Sequence, residues 1–563
     1  MKQNLLRTTA AVLLLCSSGT EIIAQTRISE TWNRKVDQSK SDYATAIWTN
    51  KYGESYLSGN SYTTNPSGAA NSSCIMLTKI NTTGNVVWTK NIFVPADYIA
   101  MNKGITGDGE GNIYVQYQEK YQYTDTLVNR VVISKFSPSG NVIWQKHITP
   151  YVNGLVEEAR DREFIYSNGK LYFCGSTFKN TGSLDAFLYK VDAGTGNADW
   201  RSIYNGPLGS DDIFHSVHVG PAGNVWAVGR SRGLEGPGGI YSDYDVAVGK
   251  YNANGQLQWM YKLNGSGNSD DIGINITVDK QGNCYHSSQV DVLGMNSDSV
   301  VIEKLSPAGQ RVWRYGFIGS NTGSIRKQPI MQLPSGDIVV SSCTVDGITT
   351  FALNAATGTQ LWRNAYSRAA RGASDYPAEM ISDSLGNIYI AGTTRDSSGS
   401  PVLDDITTLK YNSTGVLQWY AYYTEPHRGS QETGRSLALD GALNVYTIGF
   451  VQDSLYNNDF FLLKYGTAIP PQPPVTTVYE IGADKGVIVY PNPGRDLLHV
   501  KTSAANQVKH LVITDYTGKV VWTTTTREAE IVMQAYNFSS GIYLLQCRYE
   551  DGVVKTTKLV IAK

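Results

Sequence analysis

Residues Asp405 to Trp419 read Asp-Ile-Thr-Thr-Leu-Lys-Tyr-Asn-Ser-Thr-Gly-Val-Leu-Gln-Trp. An apolar segment ends in Lys410-Tyr411, a tight turn with glycine follows, and a second apolar segment ends in tryptophan. β-Branched and aromatic residues favour strands, and a short turn rich in Asn, Ser and Gly suits an antiparallel connection. The stretch therefore predicts a two-stranded hairpin.

The same pattern recurs about 55 residues apart along most of the chain. Tryptophans keep the frame at Trp32, Trp88, Trp144, Trp200, Trp259, Trp313, Trp362 and Trp419. In the same phase, segments such as Gly386-Asn387-Ile388-Tyr389 restart a strand after a turn. Each unit holds four short strands, and four-stranded sheets repeated radially form a β-propeller. We expect eight blades, with the tryptophans filling the wedge between neighbouring sheets.

The two ends of the array predict a closed ring. Trp32 has no partner strand before it, and Asp459–Tyr465 has no tryptophan strand after it. Pairing these leftover strands would complete the last blade and remove two exposed sheet edges.

These units resemble a bacterial β-propeller repeat in which a Lys-hydrophobic strand, a glycine turn, a tryptophan and a Gly-Asn-x-Tyr segment follow in order. The resemblance covers residues 28–466 and implies the fold rather than an activity. We accordingly expect an all-β chain, with an eight-bladed β-propeller over residues 25–466.

Beyond the repeats the chain changes character. A Pro-rich linker is expected at 467–478, followed by about seven short strands at 479–563 that suit a small, immunoglobulin-like β-sandwich. This tail closely resembles the C-terminal sorting domain of type IX secretion cargo. The landmarks that carry the resemblance are Tyr490, Pro491, Asn492, Pro493, Asp515, Gly518, Gly541, Tyr543 and Lys558. It implies Sec export, handling by the type IX machinery, tail removal by a cell-surface sortase, and attachment to surface lipopolysaccharide or release.

The first 24 residues read as a signal peptide. Lys2 and Arg7 precede the apolar stretch Ala10–Cys16, and cleavage is expected before Gln25. Lipidation of Cys16 is the alternative, but Leu15 is larger than the residue expected before a lipidated cysteine. No other segment approaches the length of a membrane-spanning helix, so none is expected in the mature chain.

Composition argues against several classes of partner and site. The formal net charge is −1 and charged residues make up 17% of the chain, which disfavours nucleic acid as a ligand. Five cysteines lie beyond the signal peptide, each in a predicted strand, and are expected to be buried apolar residues: Cys74, Cys174, Cys284, Cys343 and Cys547. His215 and His218 are three apart on a predicted strand, so alternation places them on opposite faces and disfavours a shared metal.

Paired carboxylates are the strongest candidates for catalysis. They occur at Asp211-Asp212, Asp270-Asp271 and Asp404-Asp405. Acid–base chemistry needs two carboxyls flanking one bond. Because these pairs recur at equivalent positions in the repeat, turn and strand-start roles are favoured over catalysis, with calcium as a minor third interpretation.

The connections within the blades are unequal. The short glycine turns lie on one face of the disc, and the longer connections Gln116–Arg130, Arg230–Tyr244, Arg368–Asp375 and Glu425–Glu432 lie on the other. Long loops on a rigid scaffold commonly carry binding residues. We therefore place a ligand site on this second face, with the candidate contact residues Tyr117, Tyr121, Tyr123, Tyr241 and Tyr244.

The sequence leaves three functions open. The favoured one is a non-catalytic binding or adhesion module for an extracellular glycan or protein, with no cofactor. The second is a hydrolase or lyase acting on polysaccharide. The third is a quinone-dependent dehydrogenase, because Asn354-Ala-Ala-Thr-Gly-Thr-Gln-Leu-Trp362 resembles the tryptophan-docking motif of pyrroloquinoline quinone propellers. Those enzymes tend to carry an adjacent Cys-Cys pair, which this sequence lacks.

Overall fold

A computed structural model describes most of the chain after the first 25 residues. The described ranges are 26–37, 41–64, 72–95, 98–121, 129–148, 156–178, 183–207, 209–232, 244–266, 270–290, 299–319, 328–368, 375–396, 403–425, 432–452, 457–466, 487–490, 497–502, 509–515, 519–534, 537–539, 541–550 and 554–561. Two compact units are present, Met1–Ala468 and Ile469–Lys563. The expected signal peptide and linker lie outside the described residues, so those domain boundaries stay predictions.

The first unit consists almost entirely of strands. Its strands are β1 (Thr26–Arg27), β2 (Trp32–Val36), β3 (Tyr43–Thr49), β4 (Ser55–Thr63), β5 (Ser72–Ile80), β6 (Val86–Phe93), β7 (Tyr98–Gly107), β8 (Ile113–Tyr121), β9 (Asn129–Phe136), β10 (Val142–His147), β11 (Val156–Ser167), β12 (Lys170–Phe178), β13 (Leu184–Asp192), β14 (Ala198–Tyr204), β15 (Asp212–Val219), β16 (Val225–Arg232), β17 (Tyr244–Tyr251), β18 (Leu257–Leu263), β19 (Ile272–Val278), β20 (Cys284–Val290), β21 (Ser299–Leu305), β22 (Arg311–Ile318), β23 (Ile330–Gln332), β24 (Ile338–Thr344), β25 (Gly347–Leu353), β26 (Gln360–Tyr366), β27 (Tyr376–Ser382), β28 (Ile388–Asp396), β29 (Leu403–Tyr411), β30 (Leu417–Tyr423), β31 (Thr433–Leu439), β32 (Val445–Gln452) and β33 (Asn458–Tyr465). A 3₁₀ turn at Pro221–Gly223 separates β15 from β16.

Most of these strands form antiparallel groups of four, and one parallel pair, Val156 opposite Asn129, joins the second and third groups into a single sheet. Within the described ranges, blades 1 to 7 are β3–β6, β7–β10, β11–β14, β15–β18, β19–β22, β23–β26 and β27–β30, and blade 8 is β31–β33 with β2. The first strand of each blade contacts the first strand of the next, and β31 returns to β3, so these strands surround a common axis. The all-β propeller predicted from the repeat is confirmed, and the described groups are numbered as blades in chain order.

Blade 8 is assembled from both ends of the unit. β2 pairs antiparallel with β33, with Trp32 opposite Lys464 and Val36 opposite Phe460. The predicted ring closure is therefore confirmed. The sequence did not indicate β1, which pairs in parallel with β30 through Thr26–Trp419 and Arg27–Tyr420 and adds a fifth strand to blade 7.

The framed tryptophans join successive blades. In blade 4, the indole nitrogen of Trp259 and the ammonium of Lys250 each donate a 3.0 Å hydrogen bond to the carbonyl of Pro307, in the hairpin turn of blade 5. The turn glycine of blade 5, Gly309, adopts φ +81°, and a Cβ built on it would lie 2.7 Å from the Trp259 ring. Lysine, turn glycine and tryptophan of the repeat thus form one interblade contact.

The Asp-x-x-Gly-Asn-x-Tyr segment forms a second repeated device. Asp108 accepts hydrogen bonds from the backbone of Glu110, from the backbone and side chain of Asn112, and from the hydroxyl of Tyr114. Equivalent bonds form around Asp279, Asp383 and Asp440. The short turn between the first two strands is therefore closed by one carboxylate.

A bulge recurs in the first strand of the blades. The register shifts by one residue at Thr45, Lys103, His215, Ile274, Ala378 and Arg435. Bulges change the direction of a side chain and strengthen twist. The innermost strands are therefore less regular than simple alternation predicts.

The second unit is a small sandwich of two sheets. Its strands are β34 (Val487–Tyr490), β35 (Leu497–Thr502), β36 (Lys509–Asp515), β37 (Val520–Thr526), β38 (Glu530–Gln534), β39 (Gly541–Tyr549) and β40 (Val554–Ile561). One sheet has the order β34-β35-β38 and the other β37-β36-β39-β40. A shared apolar core includes Leu498, Val500, Leu511 and Leu545. The predicted seven-stranded tail is confirmed.

The five cysteines beyond residue 25 are all buried, and none of them forms a disulfide bond. Burial raises the pKa of the Cys74 thiol to about 11. They are buried strand residues, as expected.

Candidate functional site

The two faces of the propeller differ in their connections. The second and fourth strands of each blade end at the same face, which we call the long-loop face. In blade 4, for example, the chain passes from Arg232 at the end of β16 to Tyr244 at the start of β17 on this face. The short turns closed by Asp108 and its equivalents lie on the other face.

Tyr117 does not belong to an accessible site. It lies within β8, which continues to Tyr121, so the connection predicted from Gln116 begins only after Tyr121. The Tyr117 side chain is fully buried and its hydroxyl accepts a 2.8 Å hydrogen bond from Gln145. Because its ring packs into the core between blades 1 and 2, it offers no surface to a ligand.

Tyr244 does lie at the long-loop face, at the start of β17. Its hydroxyl donates to Asp211 at 2.9 Å, and the Arg230 guanidinium lies 4.2 Å from its ring centroid. The other three candidate tyrosines contribute no described side-chain contact to this face. Tyr121 ends β8 opposite Tyr98, whereas Tyr123 and Tyr241 lie outside the described residues.

The paired carboxylates are engaged in holding backbone and side chains at strand starts. Asp212 accepts a 2.6 Å hydrogen bond from the amide of Gly206, six residues earlier. Asp271 does the same with the amide of Gly265. The segments Asn205–Asp212 and Asn264–Asp271 share the pattern Asn-Gly followed by Asp-Asp. This repeat could have predicted the loop-closing contact.

Burial dominates the ionisation of Asp212. It raises the pKa of Asp212, despite hydrogen bonds from Gly206 and Ser231 that oppose the effect. Asp404 instead binds Arg395 through two hydrogen bonds, of 2.7 and 3.1 Å. Asp405 contacts the guanidinium of Arg368.

His215 occupies a bulge, which interrupts the alternation on which its predicted orientation rested. Its Nδ1 donates a 2.9 Å hydrogen bond to the carbonyl of Gly273 in blade 5. Burial, aided by the nearby positive charge of Arg160, lowers its pKa to about 3. Burial lowers the pKa of His218 to about 4. Both imidazoles are therefore neutral at physiological pH.

A group of Ser, His and Glu side chains in blade 5 was not predicted from the sequence. His286 Nδ1 lies 2.8 Å from Ser288 Oγ, and its Nε2 lies 3.3 Å from Glu303 Oε2. These distances suit nucleophilic catalysis, but all three side chains are fully buried. No substrate can reach the serine hydroxyl, so the group is structural.

A carboxylate cluster lies where blade 8 meets blade 1. One oxygen from each of Asp37, Asp42 and Asp459 lies within 4.8 Å of the others. The Lys35 ammonium lies 2.5 Å from Asp459. Although burial opposes it, the hydrogen bond and charge of Asp459 raise the pKa of Lys35. The Lys35 ammonium thus offsets part of the negative charge of this cluster.

Two cavities lie toward the long-loop face. One, of about 220 Å³, lies near the axis among blades 8, 1 and 2. It is lined by Tyr43, Ala44, Thr45, Asn60, Met101, Asn102, Arg435 and Phe450. The bulge residues Thr45 and Arg435 reach it, and the Arg435 guanidinium lies 5.2 Å from the Phe450 ring centroid.

The second cavity, of about 420 Å³, lies between the outer strands of blades 6 and 7. We call it the blade 6–7 cavity. Its lining residues are Ala365, Tyr366, Ser367, Arg368, Asp396, Tyr420 and Tyr422. Its size falls within the range of small-molecule sites.

The sorting landmarks fall in the sandwich unit. Asp515 closes the β36–β37 turn by accepting the Lys519 amide at 3.0 Å, and the Tyr543 hydroxyl donates to the Ser539 carbonyl at 2.9 Å. Tyr490, Gly541 and Lys558 lie in β34, β39 and β40. Pro491, Asn492, Pro493 and Gly518 lie outside the described residues.

Family comparisons agree with this division. Residues 488–562 match a secretion system C-terminal sorting domain, and residues 369–397 match a beta-propeller repeat. The chain therefore carries both recognised modules, and the sorting domain indicates export by type IX secretion to the cell surface or the extracellular space. In the described ranges no helix has the length and apolar character needed to cross a membrane.

No curated protein matches the chain significantly. Among solved structures, a quinohemoprotein alcohol dehydrogenase from Pseudomonas putida HK5 is 10% identical over 78% of this chain and 76% of its own, with a TM-score of 0.45. PorZ, a surface component of the type IX secretion system of Porphyromonas gingivalis, is 10% identical over 94% and 100%, with a TM-score of 0.22. At these scores neither likeness supports an inference about activity.

Proposed function

We propose that this exported propeller is a non-catalytic binding module whose long-loop face holds an extracellular glycan or protein. The observation that carries the proposal is the position of both cavities toward that one face, at the ends of strands from five blades. A rigid ring of sheets keeps such sites preorganised, which lowers the entropic cost of binding.

The state of the acidic residues favours binding over hydrolysis. Asp212 and Asp271 hold loop amides, and Asp404 and Asp405 hold arginines. Carboxylates committed to such bonds lack the freedom to flank a scissile bond as acid and base. Export by type IX secretion places the module where polymers and surface proteins are its available ligands.

A binding screen of the secreted protein against glycans and surface proteins tests the proposal, with product release measured in parallel. We expect saturable binding without turnover. Turnover that a single Asp or Glu substitution abolishes, with ligand affinity retained, would instead establish a hydrolase or lyase.

A further inference from the structure

The charged groups at the blade 6–7 cavity are already bound to one another. Nη2 of Arg368 lies 2.7 Å from an oxygen of Asp396, and its Nη1 contacts Asp405. Two carboxylates surround the Arg368 guanidinium, and Arg27 beside Tyr422 brings the formal charge of these four groups to zero, so they offer no excess positive charge to a phosphate or a carboxylate ligand. Arg368 already binds both carboxylates, so a cationic ligand would have to displace its guanidinium.

The remaining lining is rich in hydroxyl groups. Tyr366 and Tyr420 pack with ring centroids 5.2 Å apart, and Tyr422 lies two residues beyond Tyr420 on the same strand. Burial raises the pKa of Tyr366, so its hydroxyl stays protonated. Phenolic hydroxyls both donate and accept hydrogen bonds, and a fixed arginine–carboxylate pair offers donors beside acceptors. These groups match a neutral ligand that carries many hydroxyls.

The N-terminal segment supports one wall of this cavity. The guanidinium carbons of Arg27 and Arg368 lie 3.7 and 3.5 Å from the Tyr422 ring centroid. Two groups this close to one centroid must lie on opposite faces of the ring, because on one face they would overlap. Tyr422 is thus held between two arginines, and β1 positions Arg27 by pairing with β30.

From this arrangement we propose that the blade 6–7 cavity binds a segment of a neutral saccharide. Asp396, Arg368 and the tyrosine hydroxyls bond the sugar hydroxyls, and Arg27 acts as a positioning residue through Tyr422. The inference rests on the proposed binding function and adds to it the ligand class and the site.

Calorimetric titration of the full secreted protein tests the inference. The probes are neutral oligosaccharides of glucose, mannose and xylose, with oligogalacturonates of equal length as acidic counterparts. We expect Asp396→Asn to weaken neutral binding about tenfold, since a charged hydrogen-bond acceptor is lost. Tyr420→Phe should weaken it about fivefold while keeping the ring packed on Tyr366.

The matched control is Asp346→Asn, which removes a 3.2 Å ion pair with Arg363 on blade 6 but does not line the cavity. It should leave affinity within twofold. Arg27→Ala should weaken binding at least threefold without changing the ligand preference, because the tyrosine loses one stacking partner. Melting temperatures of all variants identify any loss of affinity that is due to unfolding.

The outcomes separate this inference from the proposed function. Neutral-sugar binding that Asp396→Asn and Tyr420→Phe leave unchanged would overturn the assigned site but keep a binding module. Preference for oligogalacturonates or for proteins would overturn the ligand class. A protein that binds no probe and no partner in the wider screen would overturn both.

Discussion

At the residue scale, the lysine, turn glycine and tryptophan of the repeat make contacts between neighbouring blades. Gly255 illustrates this: its φ is +78°, and a Cβ would lie 2.6 Å from the Trp200 ring of the preceding blade. Glycine is needed here for two reasons: the backbone has a positive φ, and the Trp200 indole leaves no room for a Cβ.

Gly255→Ala should therefore destabilise the propeller more than a backbone effect alone predicts. Its matched control is Gly169→Ala, where φ is +75° and nothing lies within 4 Å of the built Cβ. We expect about 1 kcal/mol for the control and about 3 kcal/mol for Gly255→Ala, since displaced packing adds to the left-handed strain. Denaturant unfolding measures both, and equal losses would contradict the interblade role.

Glu303 is the second residue whose environment sets its behaviour. Burial alone raises its pKa, but the hydrogen bonds and charges of His286 and Arg314 outweigh burial and lower it to about 2. A lowered carboxyl pKa stabilises the fold above the unfolded value near 4.5, and this stabilisation is lost as the pH falls toward 2.

Glu303→Gln should accordingly cost about 3 kcal/mol at pH 7, and the difference from the natural chain should shrink below pH 4.5. Glu54→Gln is the control, because Glu54 pairs with Lys79 at 2.8 Å but remains one-third exposed. It should cost less than about 1 kcal/mol. Melting curves across pH 2–8 test this, and a pH-independent difference would refute the charge assignment.

At the scale of elements, the two N-terminal strands have different tasks. β2 completes blade 8 and covers the edge of β33, whereas β1 adds to the outer edge of blade 7 and positions Arg27. Loss of an edge cover exposes unpaired backbone groups and invites association.

Two truncations separate these tasks. A chain starting at Ile28 lacks β1 and should lose about 1 kcal/mol or less, because only two residue pairs disappear. A chain starting at Asp37 also lacks β2 with Trp32, and should lose several kcal/mol and aggregate. Calorimetry and light scattering distinguish them. Equal melting temperatures for the two truncations would mean that the pairing of β2 with β33 contributes no measurable stability to the propeller.

At the scale of the whole molecule, acid should weaken the propeller through two partly buried histidines. His215 and His218 have pKa values lowered to about 3 and about 4, against about 6.5 unfolded. The unfolded chain binds protons first, so stability is full above pH 6.5 and falls as the pH drops toward 4. Arg160 and Arg230 near His215 strengthen the effect.

Each histidine should cost about 2 kcal/mol of stability between pH 7 and pH 5. Replacing both with glutamine should flatten that part of the pH–stability curve, whatever its effect at pH 7. Urea unfolding at half-unit steps provides the curve. An unchanged slope in the double variant would assign the acid sensitivity to other groups.

Processing is the second whole-molecule prediction. The mature protein should begin at Gln25 and end within or near 467–478, because we expect both the predicted signal peptide and the sorting tail to be removed. Mass spectrometry of surface and culture fractions measures the two ends. A main species that retains Lys563 would contradict tail removal.

Sequence alone determined the repeat, the ring closure and the sorting tail, because these depend on the order and spacing of residues along the chain. Strand pairing between neighbours in a hairpin is local. The Trp32 strand and Asp459–Tyr465 had no hairpin partner in the sequence, so they could complete a blade only by pairing with each other. Period and turn chemistry are sufficient for such inferences.

Only the tertiary structure decided which side chains are accessible. Tyr117 was a sequence candidate, yet β8 extends past it and buries its ring, because strand length is set by pairing with β7 and β9. The blade 6–7 cavity joins Arg27, Arg368 and Tyr422, which no spacing rule relates. Their proximity arises from the ring, which brings the start of the described chain against blade 7, and from the wedge between two sheets.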